Sequence, residues 1–155
     1  MEKIVIIYDD STKASERVHT IIGEKSFGNI ILKRKKIYTK IKSLIAETKI
    51  DIDFRIINNM DKIGSIESYS NNTIFFHLLS NMAIINDEEF LLLLKKLPYV
   101  KRTTTVYGPK NVGAIFVNKE EYLDFINEYN DVGNIDFLKK DIMKVSCFVD
   151  LSNYE

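Results

Sequence analysis

The sequence has little cysteine, no net charge and no long apolar segment. A single cysteine, Cys147, excludes an internal disulfide bond and any metal site built from several cysteines. The 22 basic side chains balance the 22 acidic ones, so no overall field attracts nucleic acid or an anionic membrane. No stretch approaches the roughly 18 apolar residues of a membrane span, and Met1 leads almost directly into a strand, so no secretory signal is expected. We therefore expect a cytoplasmic protein that binds neither nucleic acid nor membrane.

Glycine is absent from residues 9–22, directly after a strongly apolar segment. Residues 3–8 have the pattern of a buried strand, and Asp9 and Asp10 follow it. In α/β proteins, groups that handle metal or phosphate lie at this position, the carboxyl end of a strand. A loop that holds phosphate through backbone N–H groups normally requires glycines. The sequence therefore predicts acidic groups at a sheet edge, without a glycine-rich phosphate loop.

The apolar patterning predicts helices that alternate with strands, followed by a β-hairpin. Strands are predicted at 3–8, 30–32, 51–57, 73–79 (continuing through 80–85 after a kink), 103–107, 112–117 and 144–150. Helices are predicted at 11–22, 35–47, 90–97, 119–129 and 135–140, and a long surface loop at 58–72. With 155 residues, the chain is expected to be a single domain, 1–155.

The predicted fold is α/β and three-layered, with a mixed, mostly parallel sheet flanked by helices, as in GT-A or Rossmann-like proteins. Strands 3–8, 73–79 and 144–150 are apolar enough to be covered on both faces. We therefore expect all three in one sheet, with the first strand central.

Several side chains allow both a functional and a structural interpretation. Asp9 and Asp10 can hold a divalent cation, but an Asp at a strand end can also cap a helix that starts near Ser11. His77, inside an apolar strand, is interpreted as a core or sheet-surface histidine with satisfied hydrogen bonds, and Cys147 as a small core residue. The basic residues 33–36 can bind phosphate, or they can form the solvent-exposed start of a helix.

Five segments follow one another in an order that resembles a known family. They are residues 3–8, Gly23–Arg34, Ile74–Asp87, Asn111–Val117 and Phe148–Glu155. This order resembles that of sugar-phosphate nucleotidyltransferases of the GT-A-like type. That family has a nucleotide-binding strand, a glycine–lysine segment, a strand ending in a metal-binding aspartate, a glycine-containing strand before a helix, and a late aspartate. The chain also looks like the leading domain of bacterial capsule-biosynthesis proteins, in which a phosphotransferase-like domain follows.

The resemblance implies a domain that binds a nucleotide or a sugar phosphate, with magnesium as the cation, and it allows this domain to be the N-terminal part of a longer protein. The residues that it places at the nucleotide or phosphate are Asp9, Asp10, Ser11, Lys13, Lys25, Arg34 and Asn81. It makes Asp150 the metal ligand, and it assigns no catalytic residue. We expect Asp9, Asp10, Asn81 and Asp150 to converge in one cleft at the carboxyl edge of the sheet.

The sequence departs from the family at two motifs. Residues 9–13 replace the family's G-x-G-x-R loop, and Ser80 or Asn81 stands where the mid-chain metal-binding aspartate is expected, whereas Asp150 is retained. In this family the loop and the metal neutralise the triphosphate, so these losses remove much of the basis of catalysis. Whether the chain is an enzyme is left open, and nucleotidyl transfer is expected to be absent or very slow. The alternative is a non-enzymatic interaction or regulatory module that keeps the fold without the site.

Overall fold

The computed structural model describes residues 3–9, 31–57, 66–79, 82–108, 111–132 and 141–150. The strands of this part of the chain are β1 Ile4–Asp9, β2 Ile52–Ile57, β3 Ile74–Leu79, β4 Met82–Ile84, β5 Thr104–Tyr107, β6 Asn111–Phe116, β7 Asp141–Lys144 and β8 Phe148–Asp150. Its helices are α1 Ile31–Thr48, α2 Asp87–Lys96 and α3 Lys119–Val132, and a 3₁₀ helix, Leu97–Tyr99, follows α2. None of the helices described is both long and apolar enough to cross a membrane.

Six of these strands form one sheet in the order β2-β1-β3-β6-β5-β7. β1 is parallel to both of its neighbours, with Ile4 opposite Ile52 on β2 and opposite Ile74 on β3. β5 and β7 are also parallel, whereas β6 runs antiparallel to β3 and to β5. The predicted mixed, mostly parallel sheet is therefore confirmed. β1 lies inside the sheet, between β2 and β3, but one strand from its edge rather than at its centre as predicted.

Helices cover both faces of this sheet, because all six residues of β1 are buried and successive side chains point to opposite faces. Ile4, Ile6 and Tyr8 pack with apolar side chains of α1 and α2 on one face. Val5 and Ile7 pack with apolar side chains of α3 on the other face. The three-layer α/β architecture that the sequence predicts is therefore confirmed.

Side-chain caps fix the starts of two helices. Asn86 precedes α2, and its side-chain oxygen accepts a hydrogen bond from the backbone N–H of Glu89 at 3.1 Å. Asn118 precedes α3, and its Oδ1 accepts from the N–H groups of Glu120 at 2.7 Å and Glu121 at 3.3 Å. These bonds satisfy N–H groups that have no partner within the helix. Asn86 and Asn118 are therefore the N-caps of α2 and α3.

The prediction of one strand over 144–150 within the main sheet is wrong. β7 ends at Lys144, and β8 pairs antiparallel with β4 in a separate two-stranded sheet, so residues 82–84 do not continue the main sheet either. After β7 the chain stays beside β5 as far as Val145, whose N–H donates to the carbonyl of Tyr107 at 2.8 Å. Two residues later, the carbonyl of Cys147 accepts from the N–H of Ile85 at 2.8 Å. Hydrogen bonds to partners that are distant in the sequence therefore divide the mainly apolar segment 144–150.

The prediction of a brief strand at 30–32 is also wrong for the residues described, because α1 begins at Ile31. A short apolar run does not distinguish a strand from a buried turn of helix, and here it continues the helix that buries Ile37, Ile41 and Leu44. The predicted helices at 11–22 and 135–140 lie outside the described residues. So does most of the predicted loop 58–72, although residues 66–68 form a 3₁₀ turn with Ile66 buried.

Candidate functional site

A chain of hydrogen bonds joins three buried polar side chains beneath α3. The Oδ2 atom of Asp9, at the end of β1, lies 2.9 Å from Nε2 of His77 on β3. The other ring nitrogen of His77, Nδ1, lies 2.8 Å from the hydroxyl oxygen of Tyr122 on α3. The relative exposure of all three residues is 0%. We call these residues the Asp9–His77–Tyr122 network.

The parallel pairing of β1 and β3 brings the acid and the histidine together. Ile7 lies opposite His77, and Asp9 lies two residues further along β1, so its side chain is on the same face of the sheet. α3 covers this face and supplies Tyr122, the third member of the network. The Tyr122 ring stacks on Phe75 at a centroid distance of 4.8 Å, which fixes the direction of its hydroxyl group.

The surroundings of the network are otherwise apolar and aromatic. The His77 and Phe125 rings pack in a T-shaped arrangement with their centroids 5.3 Å apart, and the ring centroids of Phe116 and Tyr122 are 4.9 Å apart. In such surroundings an unpaired polar group or charge is costly. The network is therefore stable only because each of its members has a hydrogen-bond partner.

One arrangement of protons, with a neutral His77, satisfies all three members of the network. An ionised Asp9 carboxylate can only accept, so Nε2 of His77 donates to it. With the proton on Nε2, Nδ1 of a neutral imidazole accepts, and the hydroxyl group of Tyr122 donates to it. Burial, and next the negative charge of Asp9, raise the pKa of Tyr122 well above its usual value of 10.0, while Arg55 lowers it. Tyr122 therefore stays protonated and keeps its donor role at neutral pH.

Three of the site residues predicted from sequence lie in the part of the chain that the structure describes. Asp9 belongs to the buried network, Arg34 lies in the first turn of α1, and Asp150 is the last residue of β8. The remaining ones, which lie outside the described residues, are Asp10, Ser11, Lys13, Lys25 and Asn81.

Strand pairing shows where Asp9 and Asp150 lie in relation to β3 and β4. Asp9 lies opposite Leu79, the last residue of β3. Three residues after Leu79, Met82 begins β4 and lies opposite Asp150 on β8. The position of Asp150 is therefore next to the segment that follows the carboxyl end of β3. Convergence of the four predicted side chains in one cleft stays a prediction.

Tyr122 is the member of the network that sequence reasoning missed. It is separated from His77 by 45 residues, and Asp9 is separated from His77 by 68. On a helix beside Phe125 and Ile126, its apolar neighbours indicate a core position rather than a polar role. The interpretation of His77 as a hydrogen-bonded core histidine is confirmed. An acid and a histidine in two apolar strands were the one available signal that these residues could pair.

Neither Cys147 nor a cluster of metal-binding side chains forms a reactive centre among the residues that the structure describes. Burial, with a contribution from the charge of Glu89, raises the pKa of Cys147 to about 12, so the thiol is protonated at neutral pH and is a poor nucleophile. This agrees with the interpretation of Cys147 as a core residue. Within the described ranges, no group of three His, Cys, Asp or Glu side chains could hold a metal ion. Magnesium binding through Asp150 therefore stays a prediction.

No family model matches the chain, and no curated protein matches it.

Proposed function

We propose that this chain is a divergent nucleotidyltransferase-like domain of bacterial surface-polysaccharide (capsule) biosynthesis that binds a nucleotide or a sugar phosphate together with magnesium. The observation that carries the proposal is the parallel pairing of β1 and β3, which end side by side at Asp9 and Leu79. α/β proteins bind ligands beyond the carboxyl ends of such strands. Asp10 and Ser11 follow β1 in the sequence, and Asn81 follows β3. All three belong to the proposed phosphate-binding set.

Asp150 supplies the proposed metal ligand. Its strand, β8, pairs with β4, directly after β3, so the backbone supports a role for this acid near the same edge. Magnesium prefers carboxylate oxygens and usually bridges to the phosphates of a substrate. Lys13, Lys25 and Arg34 would then neutralise phosphate through their side chains, in place of the backbone N–H groups of a glycine-rich loop.

We further propose that binding is retained while transfer is weak. In nucleotidyl transfer, an oxygen of the sugar phosphate attacks the α-phosphorus and pyrophosphate leaves. Preorganised charge accounts for most of the acceleration of such a step. The glycine-free segment 9–22 cannot readily surround a triphosphate with N–H groups, and each long side chain that replaces them is ordered at a cost of up to ~2 kcal/mol. Transfer should therefore be absent, or far below the ~10 per second of a typical enzyme.

One observation favours the second candidate function, a non-enzymatic interaction module. Asp9 is fully buried, and its Oδ2 atom is hydrogen-bonded to His77. An acid with this role stabilises the packing of α3 on the sheet, which does not require a ligand. A domain that keeps its fold in this way can lose the site and still serve as a partner for another protein.

Thermal unfolding of the full chain distinguishes the two candidates. The probes are UTP, CTP, GTP, ATP and dTTP, each with magnesium chloride, and hexose 1-phosphates. A nucleotide at about 100 times its dissociation constant stabilises by ~2.7 kcal/mol, which corresponds to roughly 5–10 °C for a chain of this size. We expect one nucleotide to give this shift, EDTA to abolish it, and Asp150→Asn to remove it. Asp124→Asn, an exposed change on α3, is the matched control and should leave the shift unchanged.

Two results would contradict the proposal in different ways. If no nucleotide or sugar phosphate raises the unfolding temperature, the binding site is absent and the interaction module is the better description. If the chain releases pyrophosphate at rates near ~10 per second, and Asp150→Asn abolishes the release, the domain is an efficient enzyme and the proposed loss of transfer is wrong.

A further inference from the structure

A shallow cleft of about 330 Å³ opens beside the starts of β5 and β7. β5 runs in the same direction as β3, because both strands are antiparallel to β6. Thr104 and Asp141, which begin β5 and β7 and lie opposite each other, are therefore at the amino edge of the sheet. Asp9 ends β1 at the opposite, carboxyl edge. We call this feature the amino-edge cleft, and it is separate from the site of the proposed function. Its lining includes Lys96, Tyr99, Lys101, Arg102, Asp141 and Met143.

Positive charge is concentrated in this cleft. Three cationic side chains, Lys96, Lys101 and Arg102, face a single acid, Asp141. The Nε atom of Arg102 is 3.7 Å from Oδ2 of Asp141, but the Arg102 side chain is 74% exposed, so this ion pair is weak. Lys96 also complements the negative end of the α2 dipole, which gives it a structural role. Lys101 lies beyond that helix and has no ion-pair partner among the described residues.

An exposed aromatic ring lies beside these cations. Tyr99 is 76% exposed, the largest fraction among the large hydrophobic side chains that the structure describes. Planar bases and sugar rings stack on exposed aromatic rings, and cationic side chains bind phosphate oxygens. The combination of one ring and several cations suits a ligand that has both a ring and a phosphate group.

We propose that the amino-edge cleft binds a small phosphate ester, with its base or sugar ring on Tyr99 and its phosphate on Lys101 and Arg102. Ligand pockets typically measure about 300–1,000 Å³, so a cleft of about 330 Å³ suits a mononucleotide or sugar phosphate. The 22 acidic and 22 basic residues of the chain cancel, which disfavours a long polyanion. Because the binding groups are themselves cationic, no metal is required. This independence from metal separates the cleft from the proposed magnesium-dependent site.

This proposal is tested by titrating the full chain with ligand in the presence of EDTA and monitoring its amide chemical shifts. The probes are ADP, glucose 1-phosphate and inorganic phosphate. We expect saturable shifts at residues 99–102 with a dissociation constant at or below about 1 mM for at least one ester. The double substitution Lys101→Gln and Arg102→Gln should weaken the binding of this ester about tenfold or more, because two charged hydrogen bonds are lost. Lys95→Gln is the control, since this exposed lysine precedes Lys96 but does not line the cleft.

Tyr99→Ser separates the role of the ring from that of the charges. We expect this substitution to weaken the binding of ADP or glucose 1-phosphate and to leave the binding of inorganic phosphate unchanged. The substituted side chains are exposed, so the variants should fold, and their unfolding temperatures check this. Failure of all three probes to shift residues 99–102, or shifts unaffected by the double substitution, would overturn the proposal. So would affinity that rises steadily with the length of a single-stranded oligonucleotide, because the ligand would then be a polymer.

Discussion

Tyr122→Phe is the most informative perturbation of the Asp9–His77–Tyr122 network. The substitution keeps the ring that stacks on Phe75 but removes the hydroxyl group that is hydrogen-bonded to Nδ1 of His77. The Nδ1 atom of His77, a residue whose relative exposure is 0%, then loses this hydrogen bond. The loss of such a buried hydrogen bond costs about 1–3 kcal/mol. We therefore expect the free energy of unfolding to fall by about this amount, and the unfolding temperature by roughly 2–10 °C.

Urea denaturation at pH 7 measures this loss, with Tyr99→Phe as the matched control. Tyr99 is 76% exposed, so removal of its hydroxyl group should change the stability by no more than about 0.5 kcal/mol. The slope of the free energy against urea should stay the same in both variants, because the surface exposed on unfolding is unchanged. If Tyr122→Phe is as stable as the parent chain, the hydroxyl group is not required by His77, and the proposed arrangement of protons is wrong.

The pH dependence of the same variant gives a second test. The pKa of Tyr122 is raised in the folded state above its usual value of 10.0, mainly by burial. A group of this kind stabilises the fold fully below its unfolded pKa, and the stabilisation is lost as the pH rises through the folded pKa. Above about pH 10, the advantage of the parent chain over Tyr122→Phe should therefore shrink by up to ~1.4 kcal/mol per pH unit. A constant difference between pH 9 and pH 11 would contradict the raised pKa.

Two further pairs of substitutions test the packing around the network and the amino-edge cleft. Gly113→Ala should destabilise the fold by about 1–3 kcal/mol or more, because an added Cβ would overlap the backbone carbonyl oxygen of His77. Gly108→Ala is the control, because the atom nearest to its added Cβ is a side-chain carbon 3.1 Å away. Urea denaturation should therefore show a smaller loss of stability for Gly108→Ala. Thr103→Val should stabilise by about 1 kcal/mol, because the buried Thr103 hydroxyl has no hydrogen-bond partner among the described residues. In Thr104→Val the hydroxyl that donates to the Arg102 carbonyl at 2.7 Å is lost, so the sign should reverse. Equal effects within either pair would refute the reasoning.

The elements predicted correctly are those whose signals are local. β1 is a continuous apolar run, and α3 begins directly after the capping side chain of Asn118. The error at 144–150 has a different origin, because the break between β7 and β8 depends on partners far away in the sequence. Ser146, for example, donates a hydrogen bond to the carboxylate of Glu89, 57 residues earlier, at 2.9 Å. The pattern around Ser146 contains no sign of that bond.

The candidate site was predictable only in part, for the same reason. Asp9 could be identified because an acid at the end of a buried strand is conspicuous in any α/β sequence. Its partner could not be deduced, since pairing with His77 depends on β1 and β3 being parallel neighbours in one particular register. Tyr122 depends in addition on which face of the sheet α3 covers. Each of these facts is a property of the assembled sheet and helices.

The pairing of β4 with β8 has a consequence for the order in which the protein can form during synthesis. β1, β2 and β3 can associate once residue 79 has left the ribosome. β4 follows immediately, but Ile84 must wait for Phe148, 64 residues later, before its strand has the partner seen in the structure. Until then its backbone N–H and C=O groups form an open strand edge, which is able to pair with another chain. The nascent protein therefore passes through a stage in which its main sheet can begin to assemble while β4 is still exposed to intermolecular association.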